Sequence, residues 1–219
     1  MPRIHPNDLY FGSYVRFDTT DSKSGAVIDG PDNAVGDIGE VVLKLDADTN
    51  NVAWLQNRFG QIIGYLDRNT SHKVEVFSAK GWTIKYVLSF CACTMEGVNM
   101  DYWGQVALIA YAPRYASEFE RFLDAFAQRA GEGFRPDPQL SQETITQILT
   151  DPQSWTPSGK VKIPRGGKGT AILKDHRTNH DKLLDQARKG NKGCYFIGYA
   201  FIGVLIALAL LGLHALGLF

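Results

Sequence analysis

The stretch "TIKYVLSFCACT", Thr83 to Thr94, decides which kind of fold the chain adopts. It is rich in β-branched and aromatic residues and is bounded by turn residues. Ile84, Tyr86, Leu88, Phe90 and Ala92 alternate with Lys85, Val87, Ser89, Cys91 and Cys93, so a strand here buries one face and presents a mixed one. Five more segments share its character: Leu9–Phe17, Glu40–Leu45, Asn51–Asn57, Gln61–Leu66 and Tyr102–Tyr111. Short turns between the second, third and fourth strands predict an antiparallel meander. Six strands within residues 1–112 predict a small antiparallel β-barrel or strongly bent sheet.

Helices flank this β-rich domain. Thr70 or Ser71 caps a short helix between the fourth and fifth strands, and Gly81 ends it. Ser117 and Glu120 have capping-box spacing, and Phe119, Phe122, Leu123, Phe126 and Ala130 follow a 3.6-residue period, so this apolar stripe must cover an open side of the sheet. A last short helix, Ser141–Thr150, presents Ile145, Ile148 and Leu149. The fold class is α+β, with residues 113–150 a helical extension packed on the β-rich domain.

Beyond residue 150 the composition changes. Residues 1–157 carry 13 Lys/Arg and 20 Asp/Glu, whereas residues 158–193 carry ten and three, so the neutral total divides into an acidic domain and a basic stalk. Closely spaced Pro and Gly predict an extended linker from Asp151 to Gly169, and a helix follows Thr170 with Leu173, Leu183, Leu184 and Ala187 on one face. The whole of 151–193 reads as a basic juxtamembrane stalk. Cys194–Phe219 contains no Asp, Glu, Lys or Arg over 26 residues, which exceeds the roughly 20 apolar residues a helix needs to cross a bilayer. Residues 194–219 are therefore expected to form a single transmembrane helix, a tail anchor. Arg188, Lys189 and Lys192 precede it and Tyr195 and Tyr199 open it, which predicts a membrane interface with anionic lipid head groups and a cytoplasmic N-terminal domain.

Motifs for established chemistry do not occur. Serine nucleophile elbows, H-E-x-x-H helices, dinucleotide fingerprints and paired zinc motifs are missing, and "RGGKGT" lacks the spacing of a phosphate-cradling loop. Cys91 and Cys93 read as reduced, packed thiols. His176 and His180 would share a helical face but have no third ligand, and "DADTNN" lacks the Gly and Glu of a calcium loop. The connection Asp18–Asp37 carries Asp18, Asp21, Asp29, Asp32 and Asp37 and is long enough to be functional. No catalytic residue, metal or cofactor is expected.

"NVAWLQNRFGQIIGYL" at Asn51–Leu66, continuing through "DRNTSHKVEVFSAKGWTIKYVLSF", resembles the HIRAN domain. Gly64, Tyr65 and Leu66 match its recurrent triplet, and Val52 and Ala53 match the apolar strand before it. The resemblance implies a small barrel related to OB-type folds and, in helicase-associated members, binding of DNA ends. Arg58, Tyr65, Arg68 and Lys73 are the nucleic-acid candidates it implies, with Tyr10, Phe11, Tyr14 and Trp54 available for stacking. Three functions follow as alternatives: a non-enzymatic, membrane-tethered module that recruits a protein partner, a nucleic-acid-binding barrel, and a membrane-bound enzyme with an unrecognised site.

Overall fold

A computed structural model describes residues 8–46, 50–96 and 99–188. Strand β1 (Tyr10–Asp18) is followed by α1 (Ser22–Asp29), the meander β2 (Ile38–Leu45), β3 (Asn51–Gln56) and β4 (Ile62–Leu66), and then α2 (Arg68–Ala79). The long hairpin β5 (Thr83–Glu96) and β6 (Asn99–Tyr111) leads to α3 (Ala116–Gly131) and α4 (Gln142–Thr150), and β7 (Thr170–Lys174) and α5 (Asn179–Arg188) complete the order. All strand contacts are antiparallel, and six strands close in the order β2-β3-β4-β1-β6-β5 because β5 returns to β2 through Ile38↔Val87, Gly39↔Tyr86 and Glu40↔Lys85. The fold is thus α+β with a closed six-stranded barrel, not a bent sheet with an open side.

The barrel interior explains several residue choices. Phe17, Ala53, Leu55, Ile63, Leu66, Leu88, Val106 and Leu108 are fully or almost fully buried in it. A Cβ at Gly64 would lie 2.6 Å from the Phe17 ring, and one at Gly104 would lie 2.7 Å from it, so both glycines leave room for that ring. Helix α1 brings Ile28 into this interior and α2 brings Val74; each follows the C-terminal end of its strand, and because β1 and β4 run antiparallel the two helices leave toward opposite ends. The connection 18–37 is therefore an ordered barrel cap, not an open loop. Asp67 caps α2 by accepting from the Thr70 N–H at 3.0 Å, one turn earlier than Thr70 or Ser71 would, and Gly81 follows the helix at φ 71°.

Helix α3 covers the outer face of β1, β6 and β5. Phe119, Phe122, Leu123 and Phe126 pack on Tyr10, Val87, Ala107, Ile109 and Tyr111 in a second core. A 3-10 turn at Pro113–Tyr115 runs directly into α3, so Ser117 already lies inside the helix and donates to Glu118 rather than closing a capping box. Helix α4 starts as expected, with Ser141 Oγ accepting from Thr144 N–H at 3.2 Å.

The expected linker packs on the barrel. Trp155 is 6 % exposed, with its ring edge-on to Phe122 at 4.9 Å, and Pro136 bridges Lys160. Residues 170–174 form a strand on β5, not the start of a helix, and the compact unit runs to Arg177, not to residue 150. A separate unit begins at Thr178. Its helix α5 opens with a reciprocal cap: Thr178 N–H donates to Asp181 Oδ2 at 2.9 Å and Asp181 N–H to Thr178 Oγ1 at 3.2 Å. Arg188 ends α5. Lys189, Lys192, Tyr195, Tyr199 and the apolar run 194–219 lie outside the described residues, among which no helix is long and apolar enough to cross a membrane.

Replacing Trp155 by Ala removes a large ring from the second core, so Trp155→Ala is expected to lower the unfolding free energy by about 3–5 kcal/mol in urea titrations. A change within about 0.5 kcal/mol, the usual size for an exposed site, would return the segment to the status of a linker.

Candidate functional site

Strands β2, β3 and β4 form a wall whose inward residues are filled by the barrel core and whose outward residues face away from it. Ala53 and Leu55 are fully buried, while Trp54 between them points outward and pairs in register with Val42 on β2 and Tyr65 on β4. The Trp54 and Tyr65 rings lie 5.5 Å apart at 53°. A shallow hollow of about 310 Å³ adjoins them, lined by Thr20, Lys44, Trp54, Ile62 and Gly64. Half-buried aromatic faces beside an exposed lysine offer a stacking surface for a planar or extended ligand.

The four nucleic-acid candidates divide along this wall. Arg68 opens α2 and donates to Asn50 Oδ1 at 3.3 Å, and Lys73 lies one turn further on, so these two share a depression of about 660 Å³ with Asn51 and His72. Glu75 also lines it, accepting from Asn51 Nδ2 at 2.7 Å and facing His72 Nδ1 at 3.4 Å, which partly neutralises the basic face. Tyr65 stands on the strand before them. Arg58 is in the β3–β4 hairpin at the other end of β3, about 17 Å away at strand rise, with its guanidinium 5.0 Å over Phe59 and 3.9 Å from Asp37. A ligand that touches all four must therefore run the length of the strand. Of the other aromatics only Trp54 is free to stack. The Tyr10 hydroxyl donates to Pro138 O at 2.9 Å, that of Tyr14 to Pro136 O at 2.8 Å, and Phe11 packs on Phe77.

The acidic residues of 18–37 do not converge. Asp18 pairs with Arg16 at 2.7 Å, whereas Asp37 is turned inward, accepting from Ala34 N–H at 2.9 Å and pairing with Arg177. His176 is outside any helix, so it forms no helical pair with His180. Among the described residues no group of three or more His, Cys, Asp or Glu could hold a metal ion.

A site the sequence reading missed surrounds Arg135. This arginine is 4 % exposed on the outer face of the β1–β6–β5 sheet, with its guanidinium 3.9 Å from the Tyr14 ring centre and 5.4 Å from that of Phe90. Burial holds the arginine below its usual pKa, with Tyr14 opposing that effect, and burial raises the Tyr14 hydroxyl to about 12 although Arg135 pulls it back. No local signal in the sequence marks it, and Lys160 and Lys162 lie 25 and 27 positions further along the chain. No protein-family model matches the chain, and neither a curated protein nor a solved structure matches it.

The Cys91 thiol supplies no nucleophile at neutral pH. Burial pushes Cys91 up from 9.0 to about 12, and its Sγ faces only Ile28 O at 3.9 Å. Because the folded state holds this proton more tightly, its stabilisation is complete below about pH 9 and is lost as pH rises toward about 12. Urea midpoints are expected to fall across that window, and Cys91→Ala should flatten the fall. Labelling of Cys91 by iodoacetamide at pH 8 should occur only on unfolding.

Proposed function

We propose that the protein is a non-enzymatic, membrane-tethered binding module whose barrel holds a protein partner at the cytoplasmic face of a membrane. The observation that carries this reading is the run 194–219, whose 26 residues include no Asp, Glu, Lys or Arg. A single apolar helix of that length spans a bilayer, and Arg188, Lys189 and Lys192 immediately before it meet anionic head groups at about 1 kcal/mol each. Tyr195 and Tyr199 sit at the head-group level in this arrangement. The outward pair Trp54 and Tyr65 supplies the contact surface, since rigid aromatic side chains lose little entropy on binding and dominate interface energetics.

A second reading, nucleic-acid binding through a HIRAN-like barrel, draws support from the same pair. Lys44 borders the aromatic hollow, and Arg68 and Lys73 lie past the end of β4, so stacked bases and a phosphate track could share one wall. The spread of the cations fits an extended single strand.

Both readings are separable in the full chain. The chain is expected to stay with membranes after alkaline carbonate washing, and a variant ending at Gly193 to appear in the soluble fraction. Persistence of the shortened variant in the pellet, or loss of the full chain to the wash, defeats the tether. In neutral detergent, a partner retained by the wild type and released by Trp54→Ala/Tyr65→Ala supports the recruiting role. Binding of short single-stranded DNA that weakens steeply with salt, and weakens again in Arg68→Ala/Lys73→Ala, transfers the wall to nucleic acid.

A further inference from the structure

The segment 156–165 crosses the outer face of the sheet past the C-terminal end of α3. Val161 N–H donates to Arg135 O at 2.8 Å, and the crossing leaves a cavity of about 470 Å³ lined by Gly133, Arg135, Lys160, Lys162 and His176, among others. Its charges do not balance locally. Two carboxylates reach the lining: Glu132 is engaged outside it, facing Arg129 at 3.2 Å and accepting from Gln128 at 3.3 Å, and Asp175 is bonded within it to His176 Nδ1 at 2.6 Å. Among the described residues, no acid pairs with Arg135, Lys160 or Lys162.

Arg135 is the unusual member. An arginine this deeply buried normally meets a carboxylate, because withdrawing an ion from water is costly unless it is paired and fully hydrogen-bonded. Here Nη1 donates to Lys162 O at 3.2 Å and Nη2 to Gln105 Oε1 at 2.7 Å, both neutral acceptors, and Nε has no partner among the described residues. Stacking on Tyr14 and Phe90 offsets part of the cost but leaves the positive charge uncancelled. Lys160 and Lys162 are exposed at the rim, with Lys160 Nζ 5.9 Å from the Phe134 ring centre.

We infer that this cavity is a binding site for a phosphate group, with Lys160 and Lys162 as its direct donors and Arg135 as a fixed positive charge in its wall. The geometry favours a phosphate over a carboxylate. A carboxylate is best satisfied by the two parallel donors of one guanidinium fork, and Arg135, stacked on Tyr14 and Phe90, tied to Lys162 O and Gln105 Oε1 and only 4 % exposed, presents no open fork to the cavity. Separate lysine ammonium groups act as compact point charges and suit a tetrahedral anion that accepts from several directions. The phosphate belongs either to a soluble monoester or to a phosphorylated lipid head group, and the site requires neither the tether nor the Trp54 wall.

The test uses the full chain in neutral detergent micelles at constant ionic strength, titrated calorimetrically with glycerol phosphate. A parallel titration uses micelles doped with a phosphorylated inositol lipid. Saturable binding is expected for at least one probe, the glycerol phosphate arm identifying a soluble source and the doped micelles a head group. Lys160→Ala/Lys162→Ala should weaken it about tenfold or more while leaving the melting temperature unchanged, since both side chains are exposed. Arg121→Ala, which removes an exposed cation of α3 outside the cavity lining, should bind like the wild type. No saturable heat with either probe, or equal affinity in the Lys160/Lys162 variant, overturns the site.

Discussion

Between Leu88 and Phe90 the β5–β6 ladder slips by one residue, so that Leu88 pairs with Val106 and Phe90 with Gln105, leaving Ser89 as the extra residue. Everything on the edge of β5 opposite β6 is arranged around that slip. Before it, Tyr86 and Leu88 point into the barrel and Val87 points toward α3. After it the parity reverses: Cys91 points inward, and Phe90 and Ala92 point outward to pack with Trp103 and Ile163. A bulge also bends its strand and increases local twist. One strand can thus pair with β2 along its first half, closing the barrel, and with β7 along its second.

The two partners of β5 meet at this point, and their junction has its own clasp. β2 begins at Ile38, just after Asp37, and β7 ends at Lys174, just before Arg177. Arg177 pairs with the buried Asp37 carboxylate, its Nε donates to Val35 O at 2.9 Å, and its backbone N–H donates to Gly131 O at 2.8 Å. Lys174 Nζ reaches Gly30 O at 2.8 Å and Asn33 O at 3.1 Å, fixing the segment between α1 and β2. The last residues of the unit therefore fasten the barrel cap, β2 and α3 together. Removing Arg177 would leave the Asp37 carboxylate with only Arg58 at 3.9 Å as a cationic neighbour among the ion pairs described, which is the costly way to break a buried pair.

This dependence marks where the sequence was legible. The six barrel strands follow from alternation within each segment, and the α3 stripe from its helical period, because both patterns are local. The parity change in β5 is not, since "LSFCAC" reads as unbroken alternation and only the pairing with β6 reveals the extra residue. Likewise residues 151–177 have the Pro, Gly and Lys of a linker, and what holds them is distant. Trp155 meets Phe122, β7 meets β5, and Arg177 meets Asp37 across 140 positions. The division of Arg58 from Arg68 and Lys73 was readable in principle, since a hairpin turn and the far end of its second strand must lie a strand length apart. Arg135 was not, because nothing near it in sequence distinguishes a buried arginine from an exposed one.

Moving the domain boundary also changes the meaning of the charge pattern. Residues 158–177 carry six Lys/Arg and one acid, so the unit 1–177 holds 19 Lys/Arg against 21 Asp/Glu and is nearly neutral, while residues 178–193 keep four against two. The basic excess that looked like a stalk is in large part a strap on the barrel. Some of its cations are consumed internally: Arg177 by Asp37, Lys174 by backbone carbonyls. Lys160 and Lys162 are not, and they stand over the one deeply buried arginine whose charge no carboxylate answers among the described residues. A strap held by half-buried cations at one end and lined with exposed ones at the other couples the integrity of the barrel to the electrostatics of a single cavity. An anion held there by Lys160 and Lys162 would bear on the strap and on the turn that follows α3, and by binding the folded chain alone would stabilise it.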